Sequence, residues 1–494
     1  MSRSRRAAWL AAVAGAGFLG AGLWGAEVRA ETLADAIALA YQSNPTLQAQ
    51  RATQRALDET YVQAEAGYRP TATLQATVGT DTNNQSNFQN VPSQHFAGQS
   101  QTSGATITIT QPIYTGGRVS SQVSAAEASV LAGREALRQS EQSVLQNVIQ
   151  AYVDVRRDQE SQAIATENVA LLARQLDEAQ ARFAVGEITR TDVAQTQASV
   201  AAAQAQLSAA QAQLANSRAS YAAVVGQNPG TLAPEPSLTK LLPASVDQAF
   251  DAAEHNNPQI RQSDYTEQAS AARVAAAKAQ TRPTFGLQAT LGYGGGTFGL
   301  GSPFLNYSHD VSATAVATFP LFTGGLTSSQ IRQAAENNNV DRIGIEVTRR
   351  QILLLVSEAW NQLLGARASL AANEVQVRAA NIAFEGTRLE AQVGLRTTLD
   401  VLITEQNLSN AQLALVNSRH DEYLAGAVLL AATGSLFAEN LTPGTPIYDP
   451  KDNFDHVRHA YRWAPWTPAV SAIDHLGAPP IVERPAPVAP PADP

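Results

Sequence analysis

Apolar residues recur every seven positions in two long proline-free stretches, residues 113–228 and 321–442. Each large residue of the heptad is followed three residues later by a smaller one, as in Val200 with Ala203 and Leu214 with Ser217, or in Leu408 with Ala411. Large against small side chains predict closely packed coiled-coil helices. Each stretch predicts a helix of about 65 residues, on the order of 100 Å long, followed by a turn and a returning helix of about 40 residues.

Four segments alternate between apolar and small polar residues, at about 70–80, 103–112, 283–294 and 309–320. In the first segment Ala72, Leu74, Ala76 and Val78 share one face, and Thr71, Thr73, Gln75 and Thr77 share the other. Such alternation over about nine residues is typical of a tilted strand that crosses a bilayer within a β-barrel. The alternative is a half-buried hairpin of a soluble domain, which would not account for helices of this length.

The chain contains two copies of one unit of about 210 residues, which predicts internal pseudosymmetry. The segment from Pro112 to Gly117 (Pro-Ile-Tyr-Thr-Gly-Gly) recurs at an offset of 208 as Pro320 to Gly325 (Pro-Leu-Phe-Thr-Gly-Gly). A Val-Gly-x-x-Thr-x-x-Asp-Val sequence occurs at residues 185–193 and again, at the same offset, at residues 393–401. The first repeat is predicted at residues 31–226 and the second at 245–440. We expect residues 31–69 and 245–282 to form further helices of nearly 40 residues.

The two ends of the chain differ from the repeats. Residues 1–30 carry Arg3, Arg5 and Arg6, an apolar run and a small-residue cleavage pattern, which predicts a secretory signal peptide. Residues 227–244 are a proline-rich linker, and residues 441–494 are a proline-rich tail that we expect to be extended or disordered in the periplasm. The Gly-rich segment from residue 292 to 301 is expected to be the outer loop of a hairpin.

Composition excludes several classes of protein. The formal net charge is −9 and becomes −12 when cleavage removes four arginines and one glutamate. An acidic chain without a basic cluster argues against a nucleic-acid partner. The absence of cysteine excludes disulfides and a lipid anchor on an N-terminal cysteine. No later stretch is apolar enough for a transmembrane helix. We expect no cofactor, no metal site and no catalytic residue.

A sheet of four strands cannot close on itself, and an open edge in hydrocarbon leaves backbone groups unpaired at several kcal/mol each. The chain must therefore oligomerise around its barrel. Two copies would give eight strands and a filled interior, whereas three would give twelve strands and a lumen. The residues alone leave both possibilities open.

The duplicated helix-strand-strand-helix-turn-helix plan, the Pro-x-x-Thr-Gly-Gly junctions and the repeated turn motif resemble the TolC-like outer-membrane factors of Gram-negative export systems. The resemblance covers about residues 31–440. It implies a mainly α-helical homotrimer with a 12-stranded membrane β-barrel, four strands per chain, continued by a 12-helix periplasmic tunnel. It further implies outer-membrane lipid around the barrel, and partnership with a periplasmic adaptor protein and an inner-membrane pump or ABC transporter. The function implied is an exit duct for small molecules or unfolded protein.

The same resemblance places the two tip turns, residues 185–192 and 393–400, at the periplasmic gate and at the surface that docks the adaptor. The residues so assigned are Gly186, Thr189, Thr191 and Asp192 in the first repeat and Gly394, Arg396, Thr397 and Asp400 in the second. Aspartates repeated around an axis would favour cations. The family's second acidic residue is replaced by Ile403, and a tyrosine by Ala391, so the gate is expected to be less acidic.

Two structural explanations stand beside the gate. Thr189-x-x-Asp192 and Thr397-x-x-Asp400 both match a capping box, which alone would account for the aspartates. Four prolines are expected to bend the chain between barrel and tunnel, namely Pro70, Pro112, Pro283 and Pro320. The rival interpretation of the whole chain is a soluble periplasmic coiled-coil scaffold or adaptor.

Overall fold

The computed structural model describes residues 30–85, 96–298, 307–442, 444, 446–460 and 464–481. The predicted signal peptide lies outside these residues, apart from Ala30. The first repeat comprises α1 (Leu33–Ser43), α2 (Pro45–Glu65), a 3-10 turn (Ala66–Tyr68), β1 (Thr71–Gln85), β2 (Phe96–Tyr114), α3 (Arg118–Ala184) and α4 (Arg190–Val225). The second comprises α5 (Val246–Asn256), α6 (Pro258–Ala279), β3 (Thr284–Phe298), β4 (Ser308–Thr318), α7 (Leu326–Gln392) and α8 (Thr398–Ala432). The tail holds α9 (Ala438–Leu441), α10 (Pro450–Ala460) and α11 (Thr467–Leu476).

The helices α3 and α7 are each 67 residues long, and their returning partners α4 and α8 have 36 and 35 residues. The predicted heptad face of α4 is buried at Thr196, Val200, Ala203, Leu214, Ser217 and Tyr221. In α8 the corresponding buried positions are Val401, Leu408, Ala411 and Ser418. The alternation of large and small side chains thus brings each returning helix close against its long partner. Among the described residues, no helix combines the length and the apolar character that a membrane crossing requires.

The prediction of continuous helices over residues 31–69 and 245–282 is wrong, because each is broken at an Asn-Pro pair. Asn44 Oδ1 accepts a hydrogen bond from the Thr46 N–H at 3.0 Å, and Asn257 Oδ1 accepts one from the Gln259 N–H at 2.9 Å. Proline follows as the first residue of the new helix, where its missing N–H costs nothing. Each asparagine amide also donates to a backbone oxygen at the end of the returning helix, Val224 (3.1 Å) or Ala432 (2.9 Å). The break therefore fixes the short helices against α4 and α8.

The strands form one antiparallel sheet in the order β1-β2-β3-β4. Three of them extend beyond their predicted ends, since β1 reaches Gln85, β2 starts at Phe96 and β3 reaches Phe298. The glycines from Gly292 to Gly296 lie in β3, where Gly294 pairs with Gly104, so this part of the predicted outer loop is strand. Backbone pairing here needs no side chain, which is why alternation of residue types did not show it. Residues 299–301 of that prediction lie outside the described residues.

The pairing register gives the sheet two distinct faces. Leu74, Ile107 and Leu291 align across β1, β2 and β3, and Leu291 aligns with Val311 of β4. On the opposite face Thr73 aligns with Thr108, and Thr108 with Thr290. One face is therefore apolar and the other is lined by threonines, as the alternation predicts.

The prolines mark strand ends in different ways. Pro70 and Pro283 directly precede β1 and β3, and Pro320 follows β4 by two residues. Pro112 lies inside β2, at the point where the register with β3 shifts before Tyr114. Because proline has no N–H to donate to a ladder, its place within the strand coincides with this irregularity.

The expectation of an extended tail is wrong for the residues that the structure describes, because α10 and α11 are helices that pack onto the first repeat. Phe454 of α10 contacts the Tyr61 ring edge-on, with centroids 5.1 Å apart. Val470 of α11 is buried with Tyr68 and Val119. These apolar residues are few and are separated by prolines, so composition concealed them.

Candidate channel entrance at the helix tips

Each tip turn begins with a glycine that ends the long helix. Gly186 and Gly394 have φ values of +80° and +79°, a conformation that favours glycine. The Glu187 N–H donates to Arg182 O at 3.0 Å, and the Leu395 N–H donates to Glu390 O at 2.9 Å. These bonds close the last turn of α3 and α7 as helix C-caps.

The capping box is formed in both repeats. Asp192 Oδ2 accepts hydrogen bonds from the N–H of Thr189 (2.9 Å) and from its hydroxyl (2.8 Å), while the Asp192 N–H donates to Thr189 Oγ1 at 3.3 Å. Asp400 and Thr397 repeat this arrangement at 3.0, 2.8 and 3.2 Å. Both aspartates thus start a returning helix. In each box the two bonds that the carboxylate accepts both end on Oδ2, so within the described part of the chain Oδ1 of each carboxylate is left for another interaction.

Both carboxylates are poised to be charged. Hydrogen bonds from the Thr189 backbone and hydroxyl lower the pKa of Asp192, and those from Thr397 lower the pKa of Asp400. The charges of Arg182 and Arg396 act in the same direction. The helix N-terminus also favours a negative charge. A cap and a negative ring are therefore chemically compatible at these two positions.

Each turn is also fastened to its long helix by an ion pair, with the signs exchanged between the repeats. Arg182 Nε lies 3.1 Å from Glu187, whereas Glu390 lies 2.8 Å from Arg396 Nε. Arg182 and Glu390 are equivalent positions under the offset of 208. Arg396 thus has its partner on the last turn of α7, and Thr191 is exposed on the first turn of α4.

A cavity of about 220 Å³ lies between the two helical hairpins at this end of the molecule. It is lined from α3 by Arg174, Gln175 and Arg182, and from α7 by Arg388. Its charged side chains are three arginines and Glu178, and the rest of the lining includes apolar residues such as Leu171, Ile188 and Val401. The two hairpins are therefore not packed tightly at their tips.

Glu405 is a site that the heptad pattern missed. It is 3% exposed in α8 and accepts a hydrogen bond at Oε2 from the Gln175 amide of α3 (2.7 Å), while Oε1 has no partner in the described structure. Burial raises the pKa of this carboxyl to about 7. The sequence did carry a signal, since Glu405 is the one charged residue between Asp400 and Arg419.

A second polar cluster joins α3 and α8 farther from the tips. His420 Nε2 lies 2.8 Å from Asp154 Oδ1, and Nδ1 lies 2.9 Å from Asp421 Oδ1. Burial lowers the pKa of His420, but the hydrogen bonds to the two aspartates outweigh it and the net shift is upward. Arg157 pairs with Asp154 (3.1 Å) and Asp158 (2.8 Å) beside it. The charged side chains are paired, which indicates a structural tie between the repeats.

The comparisons with known proteins agree with this architecture. The family model described as "Outer membrane efflux protein" matches residues 36–227 and 249–435, one match in each repeat. The chain belongs to the outer membrane efflux protein family. It is also 35% identical over 437 residues to the outer membrane efflux protein BepC of Brucella suis, covering 88% of this chain and 92% of that protein.

Two further proteins extend the comparison. The alkaline protease secretion protein AprF of Pseudomonas aeruginosa is 26% identical over 315 residues, which cover 63% of this chain and 65% of AprF. The crystal structure of the Campylobacter jejuni CmeC outer membrane channel superposes with a TM-score of 0.70 at 15% identity, covering 86% of this chain and 88% of that one. The latter likeness concerns the fold.

Family membership confirms the resemblance found in the sequence. The chain is an outer-membrane efflux protein with a four-stranded sheet and periplasmic helices, and its role is transport rather than catalysis. This decides against the soluble scaffold. Among the described residues, no group of His, Asp or Glu side chains is arranged to hold a metal ion.

Proposed function

We propose that three copies of this chain assemble into an exit duct, with a 12-stranded barrel in the outer membrane and a 12-helix tunnel in the periplasm. The observation that carries the proposal is the open sheet, because β1 and β4 each have one unpaired edge within the chain. A sheet with an apolar outer face meets lipid only if its edges are paired. Three chains supply twelve strands, and the threonine face then lines a lumen.

The helices support the same assembly. Helix α3 is packed between α2 and α6, whereas among the described residues α7 contacts α6 and has no comparable contact with α2. The uncovered part of α7 carries Val340, Ile343, Val347 and Leu354, all at least half exposed and at helical spacing. The α2 helix of a second copy fits there, since α2 and α6 are equivalent under the repeat.

At the periplasmic mouth the tips are the docking surface for an adaptor protein. Val185, Val393 and Leu395 stand out from the turns and are each more than 70% exposed. Apolar side chains on an exposed turn favour a protein partner. The adaptor in turn connects the duct to an inner-membrane pump or ABC transporter, which supplies the energy. Efflux agrees with the name of BepC, and protein secretion agrees with that of AprF.

The assembly is tested by the mass of the purified protein in detergent. We expect three chains per particle, and loss of the trimer when Ile343 and Val347 are both replaced by Glu. An Asp455→Lys variant, altered at an exposed residue of α10, is the control. A wild-type protein that is monomeric in detergent and in lipid would overturn the proposal.

The gate is a separate part of the proposal, in which Asp192 and Asp400 ring the constriction and Thr191 and Arg396 line it.

Three variants, measured in planar bilayers, separate the effect of the Asp400 charge from the effect of capping. Asp400→Asn removes the charge and keeps an acceptor for Thr397, whereas Thr397→Val keeps the charge and weakens the cap. Asp400→Ala removes both. We expect reduced cation selectivity and cation block in Asp400→Asn and Asp400→Ala but not in Thr397→Val. Equal selectivity in all three variants would leave Asp400 as a helix cap alone.

A further inference from the structure

The tail helix α11 lies where the barrel meets the tunnel. Trp466 precedes its first residue, and the indole N–H donates to Gln111 Oε1 of β2 at 2.9 Å. Gln111 pairs with Leu287 and shares the apolar face of the sheet with Ile109 and Ile107. The tail therefore covers the outer side of the sheet at its periplasmic end.

A buried aspartate holds the helix in this place. Asp474 is fully buried and accepts hydrogen bonds from the backbone N–H groups of Thr115 (2.7 Å), Gly117 (3.1 Å) and Ser120 (3.2 Å). Ser120 lies in the first turn of α3, Gly117 is its N-cap residue and Thr115 lies just before it, so a side chain of the tail caps the long helix of the first repeat. The equivalent N-terminus of α7 has no such cap in the described structure, and a Cβ at Gly325 would meet nothing within 4 Å.

The outward side of this segment is apolar apart from His475, whose Nδ1 lies 2.7 Å from Ser120 Oγ. The exposed residues between 464 and 481 are Pro465, Trp466, Pro468, Ala469, Ala472, Ile473, His475, Leu476, Pro480 and Ile481. Leu476 is 90% exposed, Trp466 46% and Ile473 45%. The one charged residue of the segment is Asp474, which points inward. Exposing such an apolar surface to water is unfavourable.

The neighbouring helix α10 shows the opposite pattern. It packs on α2, farther from the sheet than α11, and the Asn453 amide donates there to Asp58 at 2.7 Å. Its exposed residues are Lys451, Asp452, Asp455, His456, Arg458 and His459. Tyr61, which contacts α10, precedes the start of β1 by ten residues. The same tail thus turns from charged to apolar as it reaches the sheet.

Aromatic residues mark the same level. Phe285 and Tyr114 are in contact at the periplasmic end of the sheet (6.0 Å between centroids), and Tyr293 stacks on Tyr307 toward the other end (5.0 Å). Aromatic side chains at both ends of an apolar band are typical of the two interfaces of a membrane. Trp466 belongs to the periplasmic one.

We propose that α11 lies in the headgroup region of the periplasmic leaflet, with Trp466, Ile473 and Leu476 in contact with lipid. Continuity with the apolar face of the sheet carries the proposal, which rests on the sheet spanning the membrane as proposed above. An amphipathic helix of this kind sinks about 5–10 Å into the boundary of headgroups and chains. In the assembled protein, the copies of α11 form a ring of lipid contacts where the barrel meets the tunnel.

The absence of cysteine allows a direct test. The variants Leu476→Cys and Ile473→Cys are each labelled with an environment-sensitive fluorophore in the full-length protein, which is reconstituted in phosphatidylethanolamine/phosphatidylglycerol vesicles. Asp455→Cys on α10 is the matched water-exposed control, and Leu74→Cys on β1 is the membrane control. We expect the labels at 476 and 473 to shift to the blue and to lose emission when lipids carry a nitroxide near the headgroup. Nitroxides near the chain end should quench them less.

The controls separate the possible failures. A label at 476 that behaves like the one at 455, while 74 is quenched, would overturn the lipid contact of α11 and leave the barrel intact. A label at 476 that is shielded equally in detergent and in vesicles, without quenching, would mean that protein covers the helix, which also overturns it. An unquenched label at 74 would contradict the membrane sheet itself.

Discussion

The buried carboxyl of Glu405 predicts a pH-dependent seam between α3 and α8. Its pKa is raised to about 7 by burial, against an ordinary value of 4.5, and its hydrogen bond from Gln175 opposes the shift without cancelling it. The closed seam therefore binds a proton that the opened seam releases. A difference of this size corresponds to roughly 3 kcal/mol.

The surroundings of Glu405 offer little compensation for a negative charge. On α3 the charged residues beside Gln175 are Arg174, Glu178 and Arg182, and on α7 it is Arg388; all four line the cavity near the tips. On α4 no charged residue occurs between Asp192 and Arg218. Burial is therefore the main influence on the pKa of Glu405.

The direction in which pH changes the stability of the closed seam follows from the raised pKa of Glu405. Below about pH 4.5 both the closed and the opened seam are protonated, so Glu405 adds no pH dependence. As the pH rises toward 7 the opened seam ionises first, and stability of the closed seam falls. Above pH 7 Glu405 is ionised in both forms, and the closed seam bears the full free-energy cost of burying the charged carboxylate.

Glu405→Gln removes the ionisation and keeps an oxygen that can accept from Gln175. Amide hydrogen exchange of residues 401–409 in the assembled protein measures opening of the seam. We expect the variant to be better protected than the wild type by about fourfold at pH 5 and by about 300-fold at pH 8. Glu358→Gln, at an exposed residue of α7, is the control and should change neither value. A protection ratio that is the same at both pH values would refute the reasoning.

Three further predictions concern the rest of the fold. Asp474→Ala leaves three buried N–H donors at the start of α3 unpaired, so it should cost about 2–4 kcal/mol and make the tail the first site of limited proteolysis; an unchanged digestion pattern would contradict this. Gly434→Ala should lower the thermal midpoint far more than Gly394→Ala, because φ is positive at both but a Cβ would approach Asn256 O to 2.6 Å only at Gly434; about 1 kcal/mol is expected at Gly394. His420→Gln should be less stable than the wild type below pH 6.5, and the difference should shrink as the pH rises through the raised pKa of His420. A difference that grows with pH would show that His420 is not held protonated by its aspartates.

Much of the architecture was visible in the sequence because it repeats. Heptads predicted the buried faces of α4 and α8, and alternation predicted the two faces of the sheet, since both patterns depend on periods of the backbone itself. The capping boxes at Thr189 and Thr397 were also readable, because their partners lie three residues apart. The Asn-Pro pairs were present as repeat markers, but their effect as helix breaks was not inferred.

Other features depended on which distant elements meet. Glu405 lies next to the apolar heptad positions of α8, and only the docking of α3 against α8 buries it. Pattern alone indicated that the tips carry aspartates, but not that capping uses a single oxygen of each.

The sequence by itself determined the repeated unit, the long helices, the strand faces and the membership of the family, because these follow from local periodicity and from motifs within short stretches. Only the tertiary structure decided that the tail is folded and where it lies. Asp474 is more than 350 residues from the N–H groups that it binds, and nothing in a short stretch of sequence encodes a contact over that distance.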